Sequence, residues 1–449
     1  MILKSFISII VSKIIIKLSK FLFKGGSNFP GKIALKIDKD ILFKAAKDYN
    51  VILITGTNGK TTTTSLIYNI IKNNGDFVIT NSTGANMLPG IVSCFIENFK
   101  FKKSQQRKYA VIEVDEANLT LITDYIKPKI ITVTNLFRDQ LDRYGEVYTT
   151  LKKILSGIEK TPYSTLVLNG DESLLGDLSF PNEIVYYGFN SSTNGNKAID
   201  INADAKFCKN CKNPYSYEFI TYNHLGNFYC KECGYKRPEL KFSVESIIEQ
   251  TPTSSLVQID GNEYFINQPG TYNIYNALCA YSIANTLGIS NSVIFNVLKS
   301  TSSSFGRQES LTIDDKEVKI ILVKNPAGFD QAINTVSLDT RKINTAFLLN
   351  DNYADGRDVS WIWDVNFEML QNLDINKVML CGIRLYDMAV RLKVAGLPQD
   401  RFTINETYDS LLQEIKDCST PTVYILATYT AMINFRKYLH GKGYIKKLW

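Results

Sequence analysis

The chain has 449 residues, 45% of them hydrophobic and 21% charged, a balance that fits a globular protein with a sizeable core in two or three domains. No run approaches the ~18 apolar residues that a membrane-spanning helix needs. The net charge of +7 is confined to residues 1–37, which hold seven lysines and no acid, so the rest is neutral, which speaks against nucleic-acid partners.

The chain opens with MILKSFISIIVSKIIIKLSKFLFK. Drawn as a helix, Lys13, Lys17, Lys20 and Lys24 fall on one face. Val11, Ile15, Leu18 and Leu22 fall opposite, with Ile7 at their edge. Two readings stay open: a helix lying in a membrane interface through residues 1–24, and a helix packed on the protein's own body with lysines toward water. A signal peptide is disfavoured, because the apolar core FISIIV is short and no A-x-A-like site follows.

From about residue 50 the pattern alternates. VILIT reads as a strand, and KTTTTSLIYNIIKNNG as a helix closed by glycine. FVIT, YAVIEV, KIITVTN, STLVLN and EIVYYGF follow as strands with helical stretches between several of them. Such βα units predict a parallel sheet covered by helices on both faces. The alternation breaks at 190–240, where a loop (NSSTNGNK) leads into a cysteine-bearing segment. KFSVES, SLVQID and EYFIN then read as antiparallel strands, before helices in TYNIYNALCAYSIANTLG and NSVIFNVLKS. STSSSFGRQE (300–309) reads as a linker, after which KIILV, NTAFLLN, KVMLCG and TVYILAT begin a second βα series. The expected fold is α/β: a basic arm (1–45), a central ATP-binding domain (46–304) with an insertion at about 203–238, and a C-terminal α/β domain (305–449).

The stretch ITGTNGKTTTT carries the clearest chemistry. A strand ending at Thr55, a turn through Gly56, Thr57, Asn58 and Gly59, and a helix entered by Lys60, Thr61 and Thr62 offer backbone N–H groups to a phosphate. Lys60 supplies a point charge for the β- and γ-phosphates, and the Thr61 hydroxyl is a Mg²⁺ ligand candidate. VIEVDEANL puts Glu113, Asp115 and Glu116 at a strand end; Asp115 and Glu116 read equally well as solvated. Cys208, Cys211, Cys230 and Cys233 follow C-x₂-C-x₁₈-C-x₂-C, the spacing of a tetrahedral Zn²⁺ site with no open position, hence structural. His224 between the pairs reads as a surface residue, and Cys94, Cys279, Cys381 and Cys418 as core.

Several of these motifs, in order, resemble the Mur ligase family, the ATP-dependent amide-bond formers of peptidoglycan synthesis. GTNGKTTT (56–63) is similar to its ATP loop, TNLFRDQLDRYGE (134–146) to its T-N-x-x-x-D-H-x-D segment, GTYNIYNALCA (270–280) to its G-x-[HY]-N-x-x-N-x-x-A segment, and FGRQE (305–309) to its G-R-x-E. The resemblance implies ATP and Mg²⁺, with Glu113 on the metal, Asn273 and Asn276 near the adenine, and Arg307 reaching the γ-phosphate. Two departures stand out. Gln140 replaces the family's histidine, and only about 50 residues precede the loop, so the domain that holds the UDP of nucleotide-linked substrates is not expected.

The cysteine insertion, GANMLPG (84–90), KNPAGF (324–329) and NDNYADGRDVSWIWDVNFE (350–368) are similar to the MurT-type branch, the ligase subunits of lipid II isoglutaminyl synthases. That resemblance implies a heterodimer with a GatD-like glutaminase, acting on lipid II in the cytoplasm at the inner face of the membrane. The α-carboxylate of D-glutamate in the stem peptide would pass through an acyl phosphate to the amide. It also implies that this subunit supplies the aspartate of the glutaminase triad, with Asp358 and Asp355 as candidates and Asp358 the better match. Trp361 and Trp363 read equally as interface or core. The rival expectations are a ligase that adds an amino acid directly, in the manner of other Mur ligases or folylpolyglutamate synthases, and a P-loop ATPase working on nucleic acid.

Overall fold

Val51, Ile52, Leu53 and Ile54 are all buried, and they alternate: Val51 and Leu53 join one core layer, Ile52 and Ile54 the other. A strand apolar on both faces belongs inside a parallel sheet. In the computed structural model, which describes residues 3–23, 28–81, 85–101, 106–139, 147–192, 204–302 and 307–446, that strand is β1 (Asn50–Thr55). It lies between β3 (Lys108–Glu113) and β4 (Ile130–Val133) and pairs parallel with both. β2 (Phe77–Thr80) flanks β3, and β5 (Thr165–Asn169) and β6 (Ile184–Phe189) extend the other side, all parallel. Beyond β6 come β9 (Phe242–Gln250), β10 (Ser255–Ile259) and β11 (Asn262–Ile266), with β10 antiparallel to both neighbours, completing a nine-stranded sheet in the order β11-β10-β9-β6-β5-β4-β1-β3-β2. The insertion stands apart as a hairpin of β7 (Ser216–Tyr222) and β8 (Leu225–Tyr229).

The helix Lys60–Asn73 covers one face because Leu66, Ile67, Ile70 and Ile71 recur at helical spacing and are all buried. Each contributes about 1.5–3 kcal/mol of burial. It ends where Gly75 adopts φ +88.

The C-terminal sheet holds β12 (Arg307–Ile313), β13 (Lys316–Leu322), β14 (Ile343–Leu348), β15 (Ile375–Cys381), β16 (Phe402–Asn405) and β17 (Thr422–Ala427), in the order β12-β13-β17-β14-β15-β16. β12 alone is antiparallel, pairing with β13. The linker reading of 300–309 is therefore corrected: Arg307, Gln308 and Glu309 already belong to a strand. Gln140 and the Arg307 side chain lie outside the described residues.

The N-terminal helix, Leu3–Phe23, corrects the expected face. It docks on the helices Asn28–Ile37 and Leu88–Glu97 through serines. Ser5 Oγ donates to Asp38 Oδ2 (2.7 Å), Ser8 Oγ to the Ala34 carbonyl (3.1 Å) and Ser12 Oγ to the Pro30 carbonyl (3.3 Å). Ile9 and Ile16 are buried beside them, and Lys13 donates to the Phe99 carbonyl. Val11 and Ile15 are only half-buried at the rim. The opposite face turns Leu3, Phe6, Ile7, Ile10, Ile14 and Leu18 outward, each 38–72% exposed. Among the described residues no helix is long and apolar enough to cross a membrane.

Candidate active site

The loop after β1 can form only with glycine at two positions. Gly56 has φ +119 and Gly59 φ +85, where an L side chain is strained. A Cβ would meet Thr134 Oγ1 at 2.4 Å from Gly56, and Asn276 Oδ1 at 2.1 Å from Gly59. The segment after β4 braces the turn: the Asn135 side chain accepts from Asn58 N (2.9 Å), Thr134 Oγ1 donates to the Asn58 carbonyl (2.7 Å), and Phe137 N donates to Thr57 Oγ1 (3.0 Å).

Lys60 is buried, and its ammonium curls back to the Gly56 and Thr57 carbonyls and to Glu116 Oε1 (2.9 Å). Burial works against its charge, but Glu116 and Glu113 outweigh that and raise its pKa. Glu116, open to a solvated reading in the sequence, is thus the counter-ion of the loop lysine. Asp115 is a cap, accepting from Ala117 N. Thr61 Oγ1 donates to Glu113 Oε2 (2.7 Å), and Asn86 donates to Glu113 Oε1 (3.2 Å). A hydroxyl and a carboxylate side by side beneath a phosphate cradle are the hard oxygen donors Mg²⁺ prefers.

Asn273 and Asn276 share a face of the helix Thr271–Thr286, and Asn276 Nδ2 donates to Asn273 Oδ1 (3.1 Å). Both line a cleft with Asn58, Gly59 and Thr62, closed on its far side by Ile321, Lys324 and Gln331 of the C-terminal domain. Asn58 and Asn325 exchange amide hydrogen bonds across this cleft (3.2 and 3.4 Å), and Lys324 pairs with Asp139. In the sequence, KNPAGF marks Lys324 and Asn325 only as a polar pair ahead of a helix-starting proline.

The two aspartates of ADGRDVSW separate cleanly. Asp355 is buried; it accepts from Thr430 N (2.7 Å), from the Thr430 hydroxyl and from Asn352 N, tying its loop to the helix Tyr429–Gly441. Burial lifts its pKa against these bonds. Asp358 is exposed, and hydrogen bonds from Ser360 hold its carboxyl below the usual range. Beside this loop, Arg391 lies over the half-exposed Trp363 ring, while Trp361 packs against Phe329 in the core. The helix that carries Arg391, Leu385–Val394, exposes Tyr386, Val390 and Val394 in one stripe next to exposed Ile383.

The four cysteine sulfurs lie within 4.8 Å of one another, with Cys208–Cys233 at 3.6 Å and Cys211–Cys230 at 3.4 Å. A tetrahedron with Zn–S bonds near ~2.3 Å needs sulfurs about 3.8 Å apart, so the set fits zinc. The backbone of Asn213 draws the Cys211 thiol down to about 6. His224, expected at the surface, is instead wholly buried. Its Nε2 lies 2.9 Å from Glu172 Oε2, and the carboxylate outweighs burial and raises its pKa. Glu172 also accepts from Leu136 N (3.0 Å), which joins the hairpin tip to the segment bracing the phosphate loop. Cys94, Cys279, Cys381 and Cys418 are buried, as expected.

A nucleotide loop of this form, an asparagine helix beside it and a second α/β domain across the cleft define a Mur-type ligase. The Mur ligase middle domain family matches residues 54–284, and the MurT ligase C-terminal family matches residues 322–432. The lipid II isoglutaminyl synthase (glutamine-hydrolyzing) subunit MurT of Streptococcus pneumoniae is 42% identical over 422 residues, 94% of each chain. The subunit of the same name from Staphylococcus aureus is 35% identical over 88% of each chain. Among solved structures, a pseudomurein peptide ligase type C from Methanothermus fervidus shares the fold, with a TM-score of 0.66 at 20% identity, covering 90% of this chain and 81% of that one. The chain belongs to the MurT family of Mur-type ligases.

Proposed function

We propose that the chain is the ligase subunit of a glutamine-hydrolysing synthase that amidates the α-carboxylate of D-glutamate in lipid II. The observation that carries this reading is the pairing of two half-sites on one chain. One is a phosphate cradle with the Thr61–Glu113 pair beneath it. The other is an exposed, ionised aspartate just ahead of the turn Ser360–Asp364, on which the helix bearing an apolar stripe packs, on a chain in which neither histidine is hydrogen-bonded to a cysteine among the described residues.

Acyl-phosphate chemistry needs positioning and charge neutralisation rather than a nucleophilic side chain. The substrate carboxylate takes the γ-phosphoryl group of ATP and ADP leaves. Ammonia then attacks the acyl carbon and phosphate departs, giving the amide. The N–H groups of Gly56–Gly59 hold the phosphates, and Lys60 turns from Glu116 toward them. Thr61 and Glu113 hold Mg²⁺, which supplies charge neutralisation when bound. Asn273, Asn276 and Arg307 complete the nucleotide site. Zinc on Cys208, Cys211, Cys230 and Cys233 is structural.

Ammonia comes from a GatD-like glutaminase whose cysteine and histidine are completed by Asp358. The stripe of Tyr386, Val390 and Val394 with Trp363 is the apolar docking surface beside it. The test is amidation of lipid II with ATP and Mg²⁺: product from ammonium with this chain alone, and from glutamine only with a glutaminase added, supports the reading. ATP consumed with a free amino acid and no amidation would move it to a direct amino-acid ligase.

On this reading the reaction runs in the cytoplasm at the inner membrane face. The outward apolar face of the N-terminal helix, with exposed Lys4 and Lys17 and no acid up to residue 37, complements an anionic lipid surface. Co-sedimentation with phosphatidylglycerol vesicles, lost in Ile10→Asp/Ile14→Asp, tests it; equal binding by both chains would sink it.

A further inference from the structure

The cysteine hairpin reaches the nucleotide cleft. Its knuckles sit at Cys208–Cys211 and Cys230–Cys233, but its other end carries Thr221 and Tyr222 to the asparagine helix. Thr221 Oγ1 lies 2.7 Å from the Tyr275 hydroxyl, between Asn273 and Asn276 in sequence. Tyr222 lines the cleft with Gly59, Asn273 and Asn276, its ring stacked 5.8 Å from Phe137 and edge-on to Tyr275 at 5.7 Å. Gln268, just ahead of the same helix, lines the cleft too. The residue is 3% exposed, and its Oε1 is buried with no hydrogen-bond partner among the described residues. A buried acceptor without a donor is costly, so it marks a place where a ligand donor completes the structure.

We propose that Gln268 and Tyr222 form the base-reading end of the nucleotide site: Gln268 Oε1 accepts from the exocyclic 6-amino group of adenine, and Tyr222, held by the zinc-knuckled hairpin, supplies an aromatic wall for the ring. The inference rests on the ATP reading above. It gives the insertion a task within the active site. A 6-oxo purine presents an acceptor where adenine presents a donor, so it leaves the Gln268 acceptor unpaired in the amide orientation seen here. Tyr222 acts on any base, because stacking is tolerant of base identity.

The test is equilibrium binding of ATP and of ITP to the full chain by titration calorimetry, with zinc content and thermal midpoint measured on each variant. The unaltered chain is expected to prefer ATP by about tenfold or more. Gln268→Leu brings the ratio close to one without weakening ITP, and Gln268→Glu, which keeps an acceptor, retains the preference. Tyr222→Leu weakens both nucleotides by about tenfold with the ratio and the zinc content intact. ATP and ITP bound equally by the unaltered chain, or a preference untouched in Gln268→Leu, would overturn the inference and leave the ATP reading standing. A chain that binds neither nucleotide would overturn the ATP reading itself. Should Tyr222→Leu not fold, Tyr222→Phe with unchanged affinity and Tyr222→His with reduced affinity give the same answer.

Discussion

Gly59→Ala probes the contact on which the phosphate loop is built. The backbone stands at φ +85, which costs an alanine about 1–2 kcal/mol. The new Cβ would lie 2.1 Å from Asn276 Oδ1 and 3.1 Å from its Cγ, so that amide must swing away. In doing so it gives up its bonds to Thr63 Oγ1 (3.3 Å) and Asn273 Oδ1 (3.1 Å), worth about 0.5–1.5 kcal/mol each. Gly75→Ala is the control. Gly75 has φ +88, but nothing lies within 4 Å of its Cβ position. Both substitutions share the backbone strain and the unfolded-state gain from removing a glycine, so those terms cancel in the comparison. Gly59→Ala should therefore lose about 1–3 kcal/mol more than Gly75→Ala. At roughly 2–4 °C per kcal/mol for a domain of this size, scanning calorimetry resolves the gap. ATP affinity, read by titration calorimetry, should fall at least tenfold in Gly59→Ala only. Equal thermal shifts in the two variants, or unchanged ATP binding in Gly59→Ala, would refute the claim that Asn276 closes the loop.

Four further outcomes follow from the site. Asp358→Asn should abolish glutamine-driven amidation in the presence of the glutaminase, with ammonium-driven amidation and melting unchanged; Asp355→Asn should cost about 1–3 kcal/mol of stability, because its acceptors serve Thr430 and Asn352. Stripping metal with a chelator should release zinc to a colorimetric dye and speed amide exchange across 215–235 at least tenfold, leaving β1–β6 protected; no change in exchange would contradict a structural role. The raised pKa of His224 sets a sign: its pairing with Glu172 is fully stabilising below the ordinary histidine value of 6.5 and is lost as pH rises through the higher folded value. His224→Gln should therefore cost about 3 kcal/mol in acid, where the buried pair is intact, with the gap to the unaltered chain closing as pH rises in urea-unfolding series.

The parts readable from sequence are those whose cause is local. The β1 run, the glycine turn and the helix Lys60–Asn73 are fixed by apolar spacing and by two backbone angles, and all three are written within residues 50–75. The two cysteine pairs are likewise local knuckles whose only long-range demand is that they meet. What escaped is what depends on distant partners. His224 sits in a turn of polar residues and looks solvated, but the group that buries it is Glu172, 52 residues away. The lysines and aliphatics of the N-terminal helix suggest one docking face, yet the face that docks is set by serines satisfied by Asp38 and by the Ala34 and Pro30 carbonyls. Apolar periodicity cannot register a serine whose partner is a carbonyl on another helix. β12 hid in a serine-rich run because its first residues are irregular: Gln308 has φ +64, and the register shifts between Arg307 and Glu309.

The cleft shows why a loop so tightly braced is compatible with a reaction that needs substrates to enter. The braces within the central domain are short, join a side chain to the backbone in each case, and are buried or part-buried: Thr134 and Asn135 to Asn58, and Phe137 to Thr57. The links to the C-terminal domain are of another kind. The Arg138–Asp364 pair, at 3.4 Å, is about one-third exposed on each side, and Lys324 is 35% exposed where it meets Asp139. Exposed pairs of this sort are worth about 0.2–1 kcal/mol each, and salt screens them. The reciprocal Asn58–Asn325 bonds, at 3.2 and 3.4 Å, are long and neutral. The energy is thus graded: the cradle is held by its own domain, while the second domain is latched to it and to the segment behind it by bonds that cost little to break. Residues 134–139 stand on both sides of this division, gripping the loop through Thr134 and Asn135 and the C-terminal domain through Arg138 and Asp139, so whatever fills the cradle is felt directly at the domain boundary.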